Sequence, residues 1–309
     1  MASESGIVMR AGSYPAPVLV GGDVLLCGLR GALRPKAAEE PNFLVAGDRV
    51  AVARTSPGEG IIMGRLERRT WFARRAAETT RRTRGQREQV LAANLDVVVI
   101  VQAAYWPDFR PARVDRYLLA ARRGGVGAAV AVNKVDALPP EERDACRAAL
   151  AATAEEVPVL WTSAVSGEGL APLGALVAGR TAAFVGSSGV GKSSLIQALD
   201  PAIERRTQAI RERVARGRHT TTAAELVPFA RGGFLVDTPG LRAFGLAAGG
   251  REELLGTFPD VAALADGCRF RDCRHEREPA CAVSAAAHDG RLDAARLQSF
   301  RKLQRELGL

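Results

Sequence analysis

Residues 186–193 read GSSGVGKS and fit the pattern G-x-x-x-x-G-K-[ST]. In that pattern glycines let successive backbone N–H groups curl around a phosphate, the lysine adds a point charge, and the last hydroxyl reaches Mg2+. Gly186, Ser187, Ser188, Gly189, Val190, Gly191, Lys192, Ser193 and the adjoining Ser194 are therefore the candidate phosphate-binding residues, with Lys192 as the charge and Ser193 as a Mg2+ ligand. A glycine-rich turn can match this string by accident. The surroundings separate the two readings: 181–185 (TAAFV) has the pattern of a short buried strand and 194–199 (SLIQAL) that of an opening helix, which is the context a phosphate loop needs.

Asn133, Lys134, Val135 and Asp136 form N-K-x-D at the end of an apolar run. The Asp136 carboxylate can accept from both N1–H and the 2-amino group of guanine, which adenine cannot supply. Four letters alone say little. At the carboxyl end of a parallel strand, where α/β sheets present their ligands, they become specific. A second apolar run ends in D-T-P-G, which would put the Asp237 carboxylate near Mg2+ and the Gly240 N–H toward a γ-phosphate. Upstream, 205–222 (RRTQAIRERVARGRHTTT) is basic, polar and poorly periodic, which predicts a mobile loop. A threonine from 220–222 could reach Mg2+ and the γ-phosphate, or simply begin a strand. Thr162, Ser163 and Ala164 lead into VSGEGL, by itself an ordinary turn.

Cys268, Cys273, His275 and Cys281 crowd into fourteen residues. Three thiolates and an imidazole fill a tetrahedral Zn2+ shell and leave no open position, so such a site is structural; unliganded buried thiols are the alternative. Cys27 and Cys146 stand apart, and five cysteines so placed suit a metal site in a reducing compartment better than a disulfide framework. No run of eighteen apolar residues occurs and the N-terminus lacks the basic-then-apolar order of a signal peptide, which predicts a cytoplasmic chain with no membrane partner. The net charge of +9 over 309 residues is carried almost wholly by arginine. Guanidinium forks onto phosphates and stacks on bases, which favours a nucleic-acid partner, although arginine-rich composition also follows coding bias.

The elements that must hold these motifs can be read from pattern. A chain of this length suits two or three domains. Residues 18–69 form short runs broken by Gly21-Gly22, Pro41, Gly47-Asp48 and Pro57-Gly58, as in a small OB-type barrel that is either a nucleic-acid face or a structural cap. The stretch 65–87 is basic with Trp71 and Phe72 set in it, either an RNA contact or a linker whose aromatics tuck into the barrel. Continuous apolar runs at 96–102 and 127–132 flank a helical pattern at 114–123, giving a βαβ unit. Helices are predicted at 140–155 and 170–176, strands at 157–161, 223–228 and 233–236, and a packing amphipathic helix after Asp289.

The motifs run N-K-V-D, S-A, phosphate loop, H-T-T-T, D-T-P-G, whereas Ras-like proteins begin with the phosphate loop and end with the base motifs. The chain resembles the circularly permuted GTPases of the ribosome small subunit-dependent GTPase A family, RsgA. The likeness rests on GDRV at Gly47, NKVD, GSSGVGKSSL, GRHTTT, DTPGLRAFGL and CRFRDCRHEREPACAV from Cys268, spread over nearly the whole chain. It implies an α/β P-loop GTPase domain, circularly permuted, over 85–247, with an OB-type RNA-binding β-barrel and basic linker over 1–84 and a zinc-knuckle, mostly helical domain over 248–309.

The same resemblance implies that GTP is hydrolysed to GDP in a late step of small-subunit maturation and in release from the subunit. The partners would be the small ribosomal subunit and its 16S-type rRNA, and the protein a cytoplasmic monomer with one structural Zn2+ and Mg2+ bound with GTP. Lys192 would meet the β and γ phosphates, Ser193 and Thr221 would hold Mg2+, and Asp237 would lie in its water shell. Asn133 and Asp136 would bind guanine, Lys134 would stack over it, and Ser163 and Ala164 would brace it through a backbone N–H. Arg269, Arg271, Arg274 and Arg277 would ride on the knuckle toward RNA.

Leu241 stands where Ras has the glutamine that positions water, and an apolar side chain cannot do so. Slow turnover stimulated by the subunit is the expectation, with His219 as the candidate catalytic group; a histidine packing the loop fits equally. Three other functions compete. A P-loop kinase leaves N-K-V-D unexplained, a non-enzymatic RNA-binding protein would carry an idle nucleotide fold, and a permuted GTPase of the large subunit has no evident use for barrel and knuckle together.

Overall fold

The computed structural model describes residues 3–12, 14–34, 43–75, 88–151, 153, 156–214, 224–237, 246 and 249–309. Five strands, β1 (Glu4–Val8), β2 (Ala16–Val20), β3 (Asp23–Leu29), β4 (Arg49–Ser56) and β5 (Glu59–Arg65), close a barrel in the order β1-β2-β3-β5-β4. Alternation puts Val8, Val18, Val20, Leu25, Cys27, Val50, Val52 and Ile62 inside. The barrel starts earlier than the predicted 18–69, because β1 carries exposed Glu4 and Ser5 and lacks an apolar run. Its pairing with both β2 and β4 is what closes the ring.

Asp48 is wholly buried before β4, and its two oxygens take Nε and Nη2 of Arg68 at 2.7 and 2.9 Å, with the Val45 N–H at 2.8 Å. A buried carboxylate with every bond made fixes the chain as it leaves the barrel. There β6 (Trp71–Arg75) pairs with β7 (Glu88–Ala93). Phe72 is 1% exposed and joins the core beneath the main sheet, so it neither stacks on bases nor fills the barrel. The expected domain boundary at 84/85 lies outside the described residues.

The main sheet follows as β8 (Val97–Ala103), α1 (Pro111–Arg123), β9 (Gly127–Asn133), α2 (Pro140–Ala151), β10 (Val159–Trp161), α3 (Leu170–Val177), β11 (Thr181–Val185), α4 (Lys192–Leu199), α5 (Ile203–Val214), β12 (Glu225–Pro228) and β13 (Phe234–Asp237). Strand order is β10-β9-β8-β11-β13-β12, parallel except for β12. Every residue of β8 is buried, which is why it reads as an unbroken apolar run. Val98 and Ile100 face α1, while Val97, Val99 and Val101 face α3 and α4.

Residues 203–214 form a helix where a mobile loop is predicted from polarity. Buried Ile203 anchors it, and Arg206 pairs with buried Asp200 and donates to the Pro228 carbonyl at 3.1 Å. Tertiary contacts supply what the weak periodicity does not. At the other edge of this region, β12 touches the barrel: the Leu226 N–H bonds the Met9 carbonyl at 2.7 Å, and Arg10 pairs with Glu225 at 3.1 Å.

Four helices end the described chain: α6 (Arg251–Thr257), α7 (Pro259–Ala265), α8 (Ala282–His288) and α9 (Ala294–Leu307). They share one core with α1 and the main sheet, through Phe258, Val261, Leu297, Phe300 and Leu303. Within it Arg296, 4% exposed, pairs with Asp115 of α1 and with Asp260, and the Ser299 hydroxyl donates to Asp115 at 2.5 Å. Burial pushes the Asp115 carboxyl up to about 6 against the pull of Arg296. Arg116 forks onto Glu306 at 2.5 and 2.6 Å, and Glu306 also accepts the Leu246 N–H at 3.1 Å. Among the described residues no helix is long and apolar enough to cross a membrane.

Candidate functional site

The loop 186–191 joins the carboxyl end of β11 to α4. Gly186 and Gly191 have φ of 144° and 91°. A Cβ on Gly186 would stand 2.3 Å from the Val101 carbonyl oxygen of β8, and one on Gly191 2.3 Å from Asn133 Nδ2, so only glycine permits either approach. Val190 is buried and anchors the loop, whereas Ser188 and Gly189 are exposed and Ser187 is half-buried. Lys192 Nζ donates to the carbonyls of Gly186 at 2.9 Å and Ser187 at 2.8 Å. Ser193 and Ser194 are exposed on the first turn of α4.

Asn133 ends β9 in register with Ala103 of β8 and is 1% exposed. Its Nδ2 donates to the Val190 carbonyl at 2.9 Å, while Oδ1 is buried without a partner among the described residues. Lys134 has φ 65°, which turns the chain off the sheet, and its Nζ donates to the Trp106 carbonyl at 2.7 Å. Asp136 is exposed on the short turn Val135–Ala137. On the neighbouring loop the Ser163 hydroxyl accepts the N–H groups of Val165 and Ser166 at 3.1 and 3.0 Å, with Ala164 between them half-buried. All of this gathers at the carboxyl edge, beside the β8/β11 junction where the connection order reverses, the place an open parallel sheet offers a ligand.

Asp237 ends β13, which pairs with β11, at the same edge. His219, Thr221, Gly240 and Leu241 lie outside the described residues. Three residues at this edge escape the sequence reading. Arg143 on α2 donates from Nη2 to the Val135 carbonyl at 2.7 Å and from Nη1 to Glu168 at 3.2 Å, bridging the Asn133–Asp136 motif to the Ser163 loop. No local pattern marks such a residue. Tyr105 and Trp106, 64% and 69% exposed, follow directly on β8, and the rule that picks out Asn133 at a strand end would also have found them.

At the other end of the chain the ligand atoms of Cys268, Cys273, His275 and Cys281 lie within 4.8 Å of one another, a group that could hold one metal ion. His275 Nδ1 stands 3.5 Å from the sulfurs of Cys268 and Cys281, and its buried Nε2 has no partner among the described residues. Cys281 caps α8: burial raises its pKa, but the bond from the Ser284 N–H at 3.3 Å helps to bring it below the ordinary thiol value. Burial pushes the Cys273 thiol up to about 12, and it lowers the His275 pKa. The Arg301 Nε–H, at 2.5 Å from the His275 carbonyl, ties the cluster to α9. Three sulfurs and one nitrogen converging in a buried pocket fit a soft or borderline divalent ion.

Comparison with known proteins agrees with this geometry. The family described as RsgA GTPase matches residues 66–247. The Small ribosomal subunit biogenesis GTPase RsgA of Pseudomonas fluorescens is 40% identical over 91% of this chain and 78% of that protein. The protein of the same name from Gemmatimonas aurantiaca is 39% identical over 93% of this chain and 91% of its own. Among solved structures, YjeQ from Thermotoga maritima superposes with a TM-score of 0.75 at 28% identity, covering 99% of both chains. YloQ, described as a circularly permuted GTPase, does so with a TM-score of 0.71 at 26% identity over 99% of this chain and 96% of its own. With N-K-V-D ahead of G-S-S-G-V-G-K-S in the chain and both at one sheet edge, the chain belongs to the RsgA GTPase family and is a circularly permuted GTP hydrolase.

Proposed function

We propose that this protein binds the small ribosomal subunit and its 16S-type rRNA and couples GTP hydrolysis to a late maturation step and to its own release. The observation that carries the nucleotide half is the bond from Asn133 to Val190, which sets the guanine motif and the phosphate loop at a fixed spacing. The subunit half rests on the names of the relatives and on the arginine-borne charge. Asp136 reads guanine, Lys134 covers the base, and Ser163 and Ala164 brace it. Lys192 neutralises the β and γ phosphates. Ser193, Thr221 and the water shell at Asp237 hold Mg2+, which supplies further neutralisation of the phosphate oxygens. His219 is the candidate to orient the attacking water.

The Cys3His cluster takes Zn2+ as a structural ion, because four protein donors leave no position for a substrate. The protein acts as a monomer in the cytoplasm. Phosphoryl transfer asks for positioning and charge neutralisation, so a switch left incomplete by Leu241 turns over slowly until the subunit orders it. The test is the GTPase rate alone, with small subunits and with large subunits, at stated salt. Selective acceleration by small subunits is expected. Equal rates in all three would overturn the proposal.

A further inference from the structure

A cleft of about 360 Å³ lies between the barrel and the main sheet, away from the nucleotide site. Arg49 at the start of β4 and Arg69 just before β6 open onto it, with Ser5, the Gly21-Gly22 turn and Thr181 around the rim. Among the described residues no carboxylate lines it. Three neighbouring arginines are neutralised, Arg54 by Glu4 and Asp23, Arg68 by Asp48, and Arg10 by Glu225, and Arg65 on β5 spends its guanidinium on the Phe43 carbonyl and ring. Arg49 and Arg69 are exposed, and neither guanidinium has a hydrogen bond or ion pair among the described residues.

Their backbones are nevertheless held still. Asn94, 7% exposed with φ 54°, accepts the Arg69 N–H at 3.0 Å and donates to the Gly47 carbonyl at 2.9 Å. The Leu66 N–H bonds the Arg49 carbonyl at 2.8 Å. Two uncompensated guanidinium groups on a fixed frame, over an apolar floor that includes Ile7 and Leu226, suit a tetrahedral oxyanion. Where the Gly21-Gly22 turn forms the rim no side chain blocks it, so a strand can run past on that side rather than end there.

We infer that this cleft binds a backbone phosphate of single-stranded RNA, shared by Arg49 of the barrel and Arg69 of the segment that leaves it. The inference rests on RNA being the partner, as proposed above. The cleft touches β11 at Thr181, whereas the phosphate loop begins at Gly186; at about 3.3 Å per residue the two sites are roughly 17 Å apart. Loss of one should therefore spare the other.

The experiment compares the full chain with the Arg49→Ala/Arg69→Ala and Arg49→Lys/Arg69→Lys variants, each loaded with a non-hydrolysable GTP analogue. Binding to small ribosomal subunits and to an unstructured RNA oligonucleotide is measured across a salt series. The alanine pair should bind both at least tenfold more weakly, with a salt slope shallower by about 0.7 for the lost oligonucleotide phosphate. The lysine pair should recover part of the affinity, and all three should bind the GTP analogue equally. Unchanged RNA affinity and slope in the alanine pair overturns the cleft while leaving the RNA partnership standing. Failure of the unmodified chain to bind either RNA overturns both. Inorganic phosphate that raises the melting temperature only when the arginines are present, with RNA binding unaltered, would mean a free-anion site and overturn the RNA assignment.

Discussion

Asn133 on β9 donates from Nδ2 to the carbonyl of Val190 in the phosphate loop, at 2.9 Å. One buried side chain thus sets the distance between the residues proposed for the base and those proposed for the phosphates. Asn133→Ala removes the donor and leaves the Val190 carbonyl unpaired beside the core, a loss of about 1–3 kcal/mol. GTP and GDP affinity, measured by calorimetric titration, should fall together by roughly ten- to a hundredfold. A variant that weakened GTP alone would contradict this.

Arg143 acts one layer further out. By bonding both the Val135 carbonyl and Glu168 it holds the segment proposed to bind guanine and the loop proposed to brace it at one spacing. Arg143→Ala should raise the KM for GTP several-fold, in line with a net loss of about 1 kcal/mol, and leave kcat at saturating GTP unchanged. Arg143→Lys, which keeps the charge but not the fork, should fall between. A drop in kcat at constant KM would place Arg143 elsewhere in the mechanism.

The metal cluster makes a proton prediction. Burial holds the Cys273 thiol near 12, so without metal it stays protonated at neutral pH. Metal entry must therefore expel protons. Adding Zn2+ to chelator-stripped protein in weak buffer should acidify the solution and raise the melting temperature. Cys273→Ser should blunt both responses, and ion uptake without proton release would argue against thiolate ligation.

Glu278 gives a pH dependence with a definite sign. The N–H groups of Arg274, Glu276 and Arg277 donate to its carboxylate at 2.8, 2.9 and 3.1 Å and hold its pKa down at about 2. A depressed carboxyl stabilises the fold fully above its ordinary value of 4.5 and loses that contribution as pH falls toward 2. Glu278→Gln should thus be less stable than the parent by a constant amount from pH 7 to 5 in urea unfolding, and the gap should close below that. Metal release by chelator should be faster in the variant, on the order of tenfold.

What could be read from sequence was what is local. The phosphate loop, N-K-V-D and the Cys3His string each carry their geometry within a few residues, and β8 announces double-sided burial by seven consecutive buried positions. β1 escaped because its burial comes from β2 and β4 rather than from its own pattern. The helix at 203–214 escaped because its anchors, Asp200 and Pro228, lie outside it. Arg296 would be assigned to solvent by type, yet its partner Asp115 is 181 positions away. Pairings at such separations leave no periodicity to detect.

The contact between Leu226 and Met9 bears on what the protein avoids. β12 is the last strand of its sheet, and an outermost strand offers a row of unmet N–H and C=O groups that invites pairing with another molecule. Here the chain just after β1 meets part of that row, with Arg10 and Glu225 bridged backbone to backbone as well as by their charges. The barrel therefore serves as a built-in guard against edge-to-edge aggregation, a duty it performs whether or not any RNA is present.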